Sequence, residues 1–314
     1  MVVTVTLNPA MDRTLEVPDF EVGQHRRARL VALVPAGKGV NVARGLARLG
    51  APAVACVLVG QAEEALYRES LEVVGLQCAL CPVSGSTRTS TTVLDPVRHT
   101  TTHLTEAGFT VGAADLARLR AALRGVIVRH RDDPAGVVVA FCGGLPTGLG
   151  LGDWISLLAV SREAGATVVV DTSGEALRAA VKSGAVSAIK PNLLELGECL
   201  GEQVQLKEAP ARAAELLDQV ETVLLTLGAQ GAYAVRRDGS VGMACRIQPA
   251  QVRNTVGCGD AFLAGWLYGW SRSGDVGDAL RWAVATGAAS ACRETTVGYT
   301  REEVEQLLSC CQRI

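Results

Sequence analysis

Apolar residues in this chain fall into two alternating patterns. Short runs, VVTVTL at 2–7, AVACVLV at 53–59, VVVA at 137–140 and TVVVD at 167–171, are nearly continuously apolar or β-branched. Such runs read as parallel strands covered on both faces. Between them the apolar positions recur at helical spacing, as with Val42, Leu46 and Leu49 before Gly50, and with Leu116, Leu119, Leu123 and Ile127. Carried along the chain, the rhythm predicts strands at 2–7, 53–59, 76–81, 136–141, 166–171, 186–189 and 222–227. It predicts helices after residue 39 and at 62–74, 113–130, 151–164, 174–182, 207–218, 260–271, 276–291 and 301–312. Thr300 and Glu303 have the spacing of a capping box for the last helix, and Asp238-Gly239 turns a hairpin over 231–247. Repeated βα units of this kind build an α/β fold around a doubly wound, mostly parallel sheet.

Two segments interrupt the rhythm. Residues 12–34 carry short mixed-polarity runs without a helical period, and 86–104 are rich in β-branched residues, with Asp95-Pro96 at a turn. A βα unit separates them, so they are expected to meet as one small, discontinuous β-sheet lid. The main domain is then assembled from 1–11, 35–85 and 105–314.

Composition narrows the function classes. Apolar residues make up 48% and charged residues 20% of 314 positions, which suits one large α/β unit with a small accessory sheet. A formal net charge of -2 and the absence of any basic run argue against a nucleic-acid partner. The opening MVVTVTLNPAMD has no basic leader and no apolar run is long enough for a bilayer, so no membrane partner and a cytoplasmic location are expected. The ten cysteines are irregularly spaced, and Cys78 and Cys81 lack a second pair at zinc spacing, so they are expected to be small buried hydrophobes. His99 and His103 have no carboxylates at ligand spacing.

The sharpest motif is Asn254-Thr255-Val256-Gly257-Cys258-Gly259-Asp260-Ala261-Phe262, which leads from polar loop into an apolar helix. Gly257 and Gly259 leave backbone N–H groups uncovered beside a helix N-terminus, a cradle for negative charge. Asp260 either caps that helix or receives a proton from an attacking hydroxyl while the amides hold a phosphoryl group in transit. A carboxylate of ordinary pKa suffices if the transition state is loose. Cys258, so near the helix start, is expected either to have a lowered thiol pKa or simply to fill space. No GxxxxGK[ST] occurs, and no early GxGxxG follows the first strand, so neither a Walker loop nor a dinucleotide fingerprint is present.

A second element is Gly37-Lys38-Gly39-Val40-Asn41, with a lysine flanked by glycines at a helix start. Lys38 suits a substrate phosphate, and Asn41 can fork hydrogen bonds to sugar hydroxyls. Asp12, just beyond strand one, either accepts from sugar hydroxyls or caps a turn. Arg88 on the lid edge either closes over a phosphate or is a solvated strand residue. Lys190-Pro191-Asn192 with Glu195 follows strand 186–189, where Asn192 and Glu195 can face a phosphate–magnesium cluster through water. The turn Thr226-Leu227-Gly228-Ala229-Gln230-Gly231 can approach a nucleotide.

These residues together resemble the ribokinase/PfkB carbohydrate kinases, and the likeness runs through the whole chain. The family's first signature is matched at 37–41, its second at 254–262 and its NxxE element at Asn192 and Glu195. The resemblance implies a ribokinase-like fold whose lid often forms the dimer contact. It also implies ATP with Mg²⁺, and Asp260 as base with Gly257, Cys258 and Gly259 lining the anion hole. Asp12, Gly37, Lys38, Gly39, Asn41 and Arg88 fall on the sugar-phosphate side. Lys190, Asn192, Glu195, Thr226, Gly228 and Gly231 fall on the nucleotide side. The opening TLNPAMD, TRT at 87–89 and KPN at 190–192 are similar to the hexose-phosphate branch, and AGKG, NTVG and DTSGEAL most resemble 1-phosphofructokinases. Tagatose-6-phosphate kinases and minor-type 6-phosphofructokinases are close behind. Cys142-Gly143-Gly144 departs from the usual SGS, leaving two hydroxyls out. A sugar-phosphate or nucleotide sensor on the same fold would carry damaged catalytic elements, and here they are intact.

Overall fold

A computed structural model describes residues 1–314. Along the chain, β1 (Val2–Thr6) opens the main sheet, and β2 (Ala10–Glu16) and β3 (Arg29–Ala36) leave it. The chain returns through α1 (Lys38–Arg48), β4 (Ala53–Gly60), α2 (Glu64–Glu72) and β5 (Gln77–Val83), then leaves again as β6 (Thr89–Asp95) and β7 (Thr100–Thr105). Alternation resumes with α3 (Ala113–Arg129), β8 (Val138–Cys142), α4 (Leu151–Glu163), β9 (Thr167–Asp171), α5 (Gly174–Lys182), β10 (Ala188–Ile189) and α6 (Leu193–Leu200). Then follow α7 (Ala209–Ala214), β11 (Thr222–Thr226), β12 (Ala232–Arg236) and β13 (Gly239–Cys245). The chain ends with α8 (Cys258–Ser273), α9 (Val276–Ala291), α10 (Arg301–Leu308) and β14 (Cys311–Arg313).

The main sheet has the order β14-β13-β12-β11-β10-β9-β8-β1-β4-β5, parallel from β11 to β5 and antiparallel beyond β11. From β1 the chain winds outward to β4 and β5, then crosses back to β8 on the other side of β1. That reversal opens a crevice at the carboxyl ends of β1 and β8, where ligands of open α/β sheets bind. The unbroken apolar runs have their reason in the two-layer core. Val54, Cys56 and Leu58 face one cluster while Ala53, Ala55, Val57 and Val59 face the other.

Helix α8 is packed between α1 and α9 by small residues. A side chain at Gly45 would come within 2.7 Å of the Ala264 Cβ, and one at Gly265 within 2.6 Å of the Trp282 carbonyl oxygen. The close approach fixes the N-terminus of α8 over the strand ends.

The excursions form a four-stranded sheet, β3-β2-β6-β7, with β2 and β6 parallel and both outer pairings antiparallel. Its strands reach slightly beyond the expected 12–34 and 86–104. Both roots of the excursions are pinned. The buried Tyr67 hydroxyl lies 2.7 Å from the Ala10 and Ala36 carbonyl oxygens, and Gly60 N–H donates to Thr87 Oγ1 at 2.9 Å.

Three expectations need correction. The helix expected at 301–312 stops at Leu308, and Cys311–Arg313 instead pairs with the free edge of β13, whose unpaired backbone groups it satisfies. The stretch after strand 186–189, where no helix was expected, is helix α6, because Asn192 caps it. The helix expected at 207–218 shortens to α7, followed by a 3₁₀ turn (Glu215–Asp218). The capping box of Thr300 and Glu303 is present, with Thr300 N–H donating to Glu303 Oε2 at 3.0 Å.

Candidate active site

The site begins where α1 is pressed onto the end of β1. Gly37 has φ +147°, and a Cβ there would lie 2.7 Å from Thr6 Cγ2, while one at Gly39 would lie 2.5 Å from Thr6 Oγ1. Only glycines permit this approach. It brings Lys38 and Asn41, in the first turn of α1, over the crevice between β1 and β8.

Helix α8 starts opposite. Its N-cap, Gly257, has φ +77°, and a Cβ would strike Thr296 Cγ2 at 2.2 Å. No side chain caps this end; Cys258 N–H donates to the Thr255 carbonyl oxygen at a long 3.4 Å, and the amides beside it keep the positive end of the helix dipole for an incoming group. Gly257, Cys258 and Gly259 are half-buried and Asp260 lies beneath them, 5% exposed.

Asp260 Oδ2 accepts a 2.8 Å hydrogen bond from Asn41 Nδ2. Asn41, expected to fork to sugar hydroxyls, is thus placed on the carboxylate. Burial, and then the negative charge of Asp171, push the Asp260 carboxyl up to about 7, while Asn41, Lys38 and Lys190 pull the other way. This corrects the expectation of an ordinary carboxylate. A group poised near neutrality is a much better proton acceptor than one near 4.

Asp171, at the end of β9, is the residue that reasoning from sequence missed. Its side chain is 1% exposed, and Oδ1 lies 3.4 Å from Lys38 Nζ and 3.3 Å from Lys190 Nζ. Its Oδ2 is buried without a partner. A signal was there: TVVVD ends a run of buried valines with a carboxylate at the ligand-binding end of the strand. Asp171 also holds the Lys38 ammonium well above the ordinary lysine range, with help from Asp260 and Glu195.

Lys190, expected on the nucleotide side, sits 5% exposed under the start of α8, with its ammonium 3.4 Å from the position a Gly259 Cβ would take. The structure therefore brings together Lys38, Asn41, Asp171, Lys190, Gly259 and Asp260. Two carboxylates, two ammonium groups and a bare helix N-terminus share one crevice. Cys142 ends β8 nearby, buried, with its thiol donating to the Ala140 carbonyl oxygen at 3.6 Å.

Other expected site residues lie around this cluster or serve the fold. Asn192 and Glu195 form a capping box on α6: Asn192 Oδ1 accepts from Glu195 N–H and Glu195 Oε2 from Asn192 N–H, both at 2.9 Å. Thr226 N–H donates to the Pro191 carbonyl oxygen at 2.9 Å, joining the ends of β10 and β11. Gly228 has φ +59° and open space where a Cβ would go. Gly231 is pressed onto β13, where a Cβ would meet the Met243 carbonyl oxygen at 2.4 Å, so packing alone requires it.

On the lid side, the half-buried Arg88 guanidinium turns inward through two of its nitrogens. It donates to the Pro9 and Asn8 carbonyl oxygens at 3.1 and 3.2 Å. Asn8 Nδ2 donates in turn to the Leu145 carbonyl oxygen at 3.2 Å, tying the lid to the loop after β8. Asp12 is half-buried on β2, and burial raises its carboxyl pKa against the pull of Arg88 and Arg44. Of the two readings of Cys258, the lowered thiol pKa is not the one the site favours. Burial raises its thiol, which donates to the Asn254 carbonyl oxygen at 3.7 Å.

Comparison with known proteins places this geometry. The profile of the pfkB family carbohydrate kinases matches residues 2–301. A 1-phosphofructokinase of Rhodobacter capsulatus is 35% identical over 287 residues, covering 90% of this chain and 88% of that one. A 1-phosphofructokinase of Bacillus subtilis (strain 168) is 30% identical over 310 residues, covering 98% and 97%. Among solved structures, phosphofructokinase-2 from Escherichia coli in complex with substrates and products superposes with a TM-score of 0.88 at 23% identity, covering 98% of both chains. A possible 1-phosphofructokinase from Thermotoga maritima gives 0.86 at 23%, covering 100% and 99%. The chain belongs to the pfkB family of carbohydrate kinases, and its fold is that of the ribokinase-like proteins.

Proposed function

We propose that this pfkB-family kinase transfers the terminal phosphoryl group of ATP to the C6 hydroxyl of fructose 1-phosphate, giving fructose 1,6-bisphosphate and ADP. The observation that carries the chemistry is Asp260, buried beneath the uncapped start of α8 with its carboxyl pushed up to about 7. Asp260 accepts the hydroxyl proton as the oxygen–phosphorus bond forms and the bond to the ADP oxygen breaks. Asn41 fixes the orientation of that carboxylate, and the amides of Gly257, Cys258 and Gly259 take up charge on the phosphoryl oxygens. The kinship with proteins named 1-phosphofructokinase, at 30–35% identity, supports the choice of sugar phosphate.

Lys38 meets the phosphate already on the sugar by swinging its half-exposed ammonium from Asp171. Arg88 and Asp12 shape the lid side of that pocket, Arg88 by holding the Asn8-Pro9 turn. Lys190 stands under the phosphoryl group in transit, while Thr226 and Gly228 border the nucleotide at the ends of β10 and β11. No three His, Cys, Asp or Glu residues converge to hold a metal. Asn192 and Glu195 at the end of β10 would hold the Mg²⁺ that accompanies the nucleotide phosphates, Glu195 through water, and the ion would neutralise phosphate charge there.

A coupled ADP-release assay over a panel of sugar phosphates tests the assignment. Fructose 1-phosphate should give the highest kcat/KM. A preference for tagatose 6-phosphate or fructose 6-phosphate would move the enzyme to a neighbouring branch, and no turnover of any phosphohexose would refute the reading. The ten free cysteines and a phosphorylated substrate suit a cytoplasmic enzyme. The lid carries Leu30, Val31, Leu33, Val34 and Leu104, each at least 41% exposed, and a second copy of the chain is the partner that would cover them. Leu33→Lys should then shift the protein to monomer in sedimentation velocity, and an unchanged mass would count against it.

A further inference from the structure

The edge of the main sheet far from the lid carries a feature that phosphoryl transfer does not use. Cys245 on β13 and Cys311 on β14 are direct partners in the antiparallel register. Arg246 N–H donates to the Cys310 carbonyl oxygen at 3.3 Å, so the neighbouring pair 245/311 is of the non-hydrogen-bonded type. In such pairs the Cα atoms lie about 4.5 Å apart with side chains on one face, within the span of roughly 4.4–6.8 Å that a disulfide bridges. Both thiols point at the same atom. Cys245 Sγ is 3.6 Å and Cys311 Sγ 3.4 Å from the Leu307 carbonyl oxygen. Neither thiol is sealed in, since both residues are only partly buried.

We propose that Cys245 and Cys311 are a dithiol modification site, oxidised reversibly to an intramolecular disulfide by hydroperoxides. Cys311 is the attacking thiol. Its thiol donates to the Leu307 and Arg281 carbonyl oxygens at 3.4 and 3.7 Å, which holds the proton, and the charge of the Arg281 guanidinium, which donates to the Leu308 carbonyl oxygen at 2.9 Å, opposes this and favours the thiolate. Contact with Cys245 and the Arg281 charge hold the Cys311 thiol below its ordinary pKa, while Cys245 is held above it. The Cys311 thiolate attacks the terminal peroxide oxygen, the O–O bond breaks, and hydroxide (from hydrogen peroxide) or alkoxide (from an organic hydroperoxide) leaves, giving a sulfenic acid. Cys245 sulfur then displaces the sulfenic oxygen, which departs with a proton as water, and the S–S bond forms. Two electrons pass from the two sulfurs to the peroxide.

The link would close the segment that carries α8, α9 and α10, including Asp260, and tie the chain terminus to the sheet. Cys310 is adjacent in sequence but pairs across from Arg246. Cys292, at the end of α9, is the other nearby thiol, and its pKa is raised by burial and then by Cys245. Both are rivals that experiment can separate.

The full-length protein, folded and reduced, is treated with hydrogen peroxide, its remaining thiols are alkylated, and the digest is mapped by mass spectrometry. The expected product is one cross-linked pair joining the peptides of Cys245 and Cys311, lighter by two hydrogens and released by dithiothreitol. Cys245→Ser and Cys311→Ser should each abolish it, while Cys310→Ser and Cys292→Ser should leave it intact. The oxidised wild-type protein should also melt several degrees higher than the reduced form, because so long a closed loop restricts the unfolded chain. A link through Cys310 or Cys292, a link between chains, or peroxide converting Cys311 to sulfinic acid with no link would overturn the proposal. A link formed with a lower Tm would refute the claim that the fold presets it.

Discussion

Two buried aspartates, one in the lid and one under α8, have nearly the same exposure and opposite character. Asp95 is 3% exposed and Asp260 5%. Burial pushes Asp95 up, but the N–H groups of Val97, Arg98, Asp19 and Phe20 outweigh it and leave its carboxyl below the ordinary range. Asp260 has a single hydrogen bond, from Asn41, and a buried negative neighbour in Asp171, so its carboxyl rises. Burial alone therefore does not mark a chemical site. A buried charge that the fold leaves under-satisfied does, and it keeps free energy in reserve for a ligand to release. Other charges of this sheet, such as Arg29 with Glu16 and Arg98 with Asp19, pair in solvent and add little to stability.

Asp260→Asn breaks the comparison most strongly. Loss of the proton acceptor should lower kcat by about 10²–10⁴-fold while ligand binding persists, as a turnover assay beside equilibrium titration would reveal. The same variant should be more stable than wild type at pH 8. A carboxyl whose pKa is raised on folding contributes stability below its unfolded pKa and loses it as pH climbs through the folded value near 7. The gain should be on the order of a few kcal/mol at pH 8 and should vanish by pH 4, measured by urea unfolding.

Asp171→Asn sharpens the cause. Two ammonium groups lose their shared partner, at a stability cost on the order of 3 kcal/mol, discounted for the exposure of Lys38. In the surviving folded enzyme, removal of the neighbouring negative charge should move the acidic limb of the pH–rate profile below 7. A limb that stays in place would mean that Asp171 does not tune Asp260.

Asp95→Asn is the mirror image, with the smallest effect on turnover. A carboxyl depressed on folding contributes stability above its unfolded pKa and loses it as pH falls through the folded value. The variant should therefore be less stable than wild type at pH 7, the deficit should close on acidification, and kcat should change less than threefold. Limited proteolysis of the 17–28 segment would register the loosened arm. A kcat loss like that of Asp260→Asn would erase the distinction between the two regions.

One spacing carried two meanings in the sequence. Thr300 with Glu303 reads as a capping box, and Asn192 with Glu195 reads as a phosphate–magnesium element, yet both pairs cap helices in the structure. A capping box is a local backbone device, so a residue can serve it and still present its second carboxylate oxygen to a ligand. Glu195 does lie close enough to raise the Lys38 pKa.

Most of the order of strands and helices, the two segments of the small sheet and the glycine-framed start of α8 were legible in the sequence, because periodicity, turn chemistry and close-approach glycines act over a few residues. The sequence could not reveal that Lys38, Asp171 and Lys190 share one carboxylate oxygen, that Arg88 turns inward to Asn8 and Pro9, or that the last residues extend the sheet as β14. Each depends on which strand ends become neighbours when the chain crosses back past β1. Electrostatic and edge-pairing energies are set by distances between residues far apart in sequence, and only the folded sheet fixes those distances.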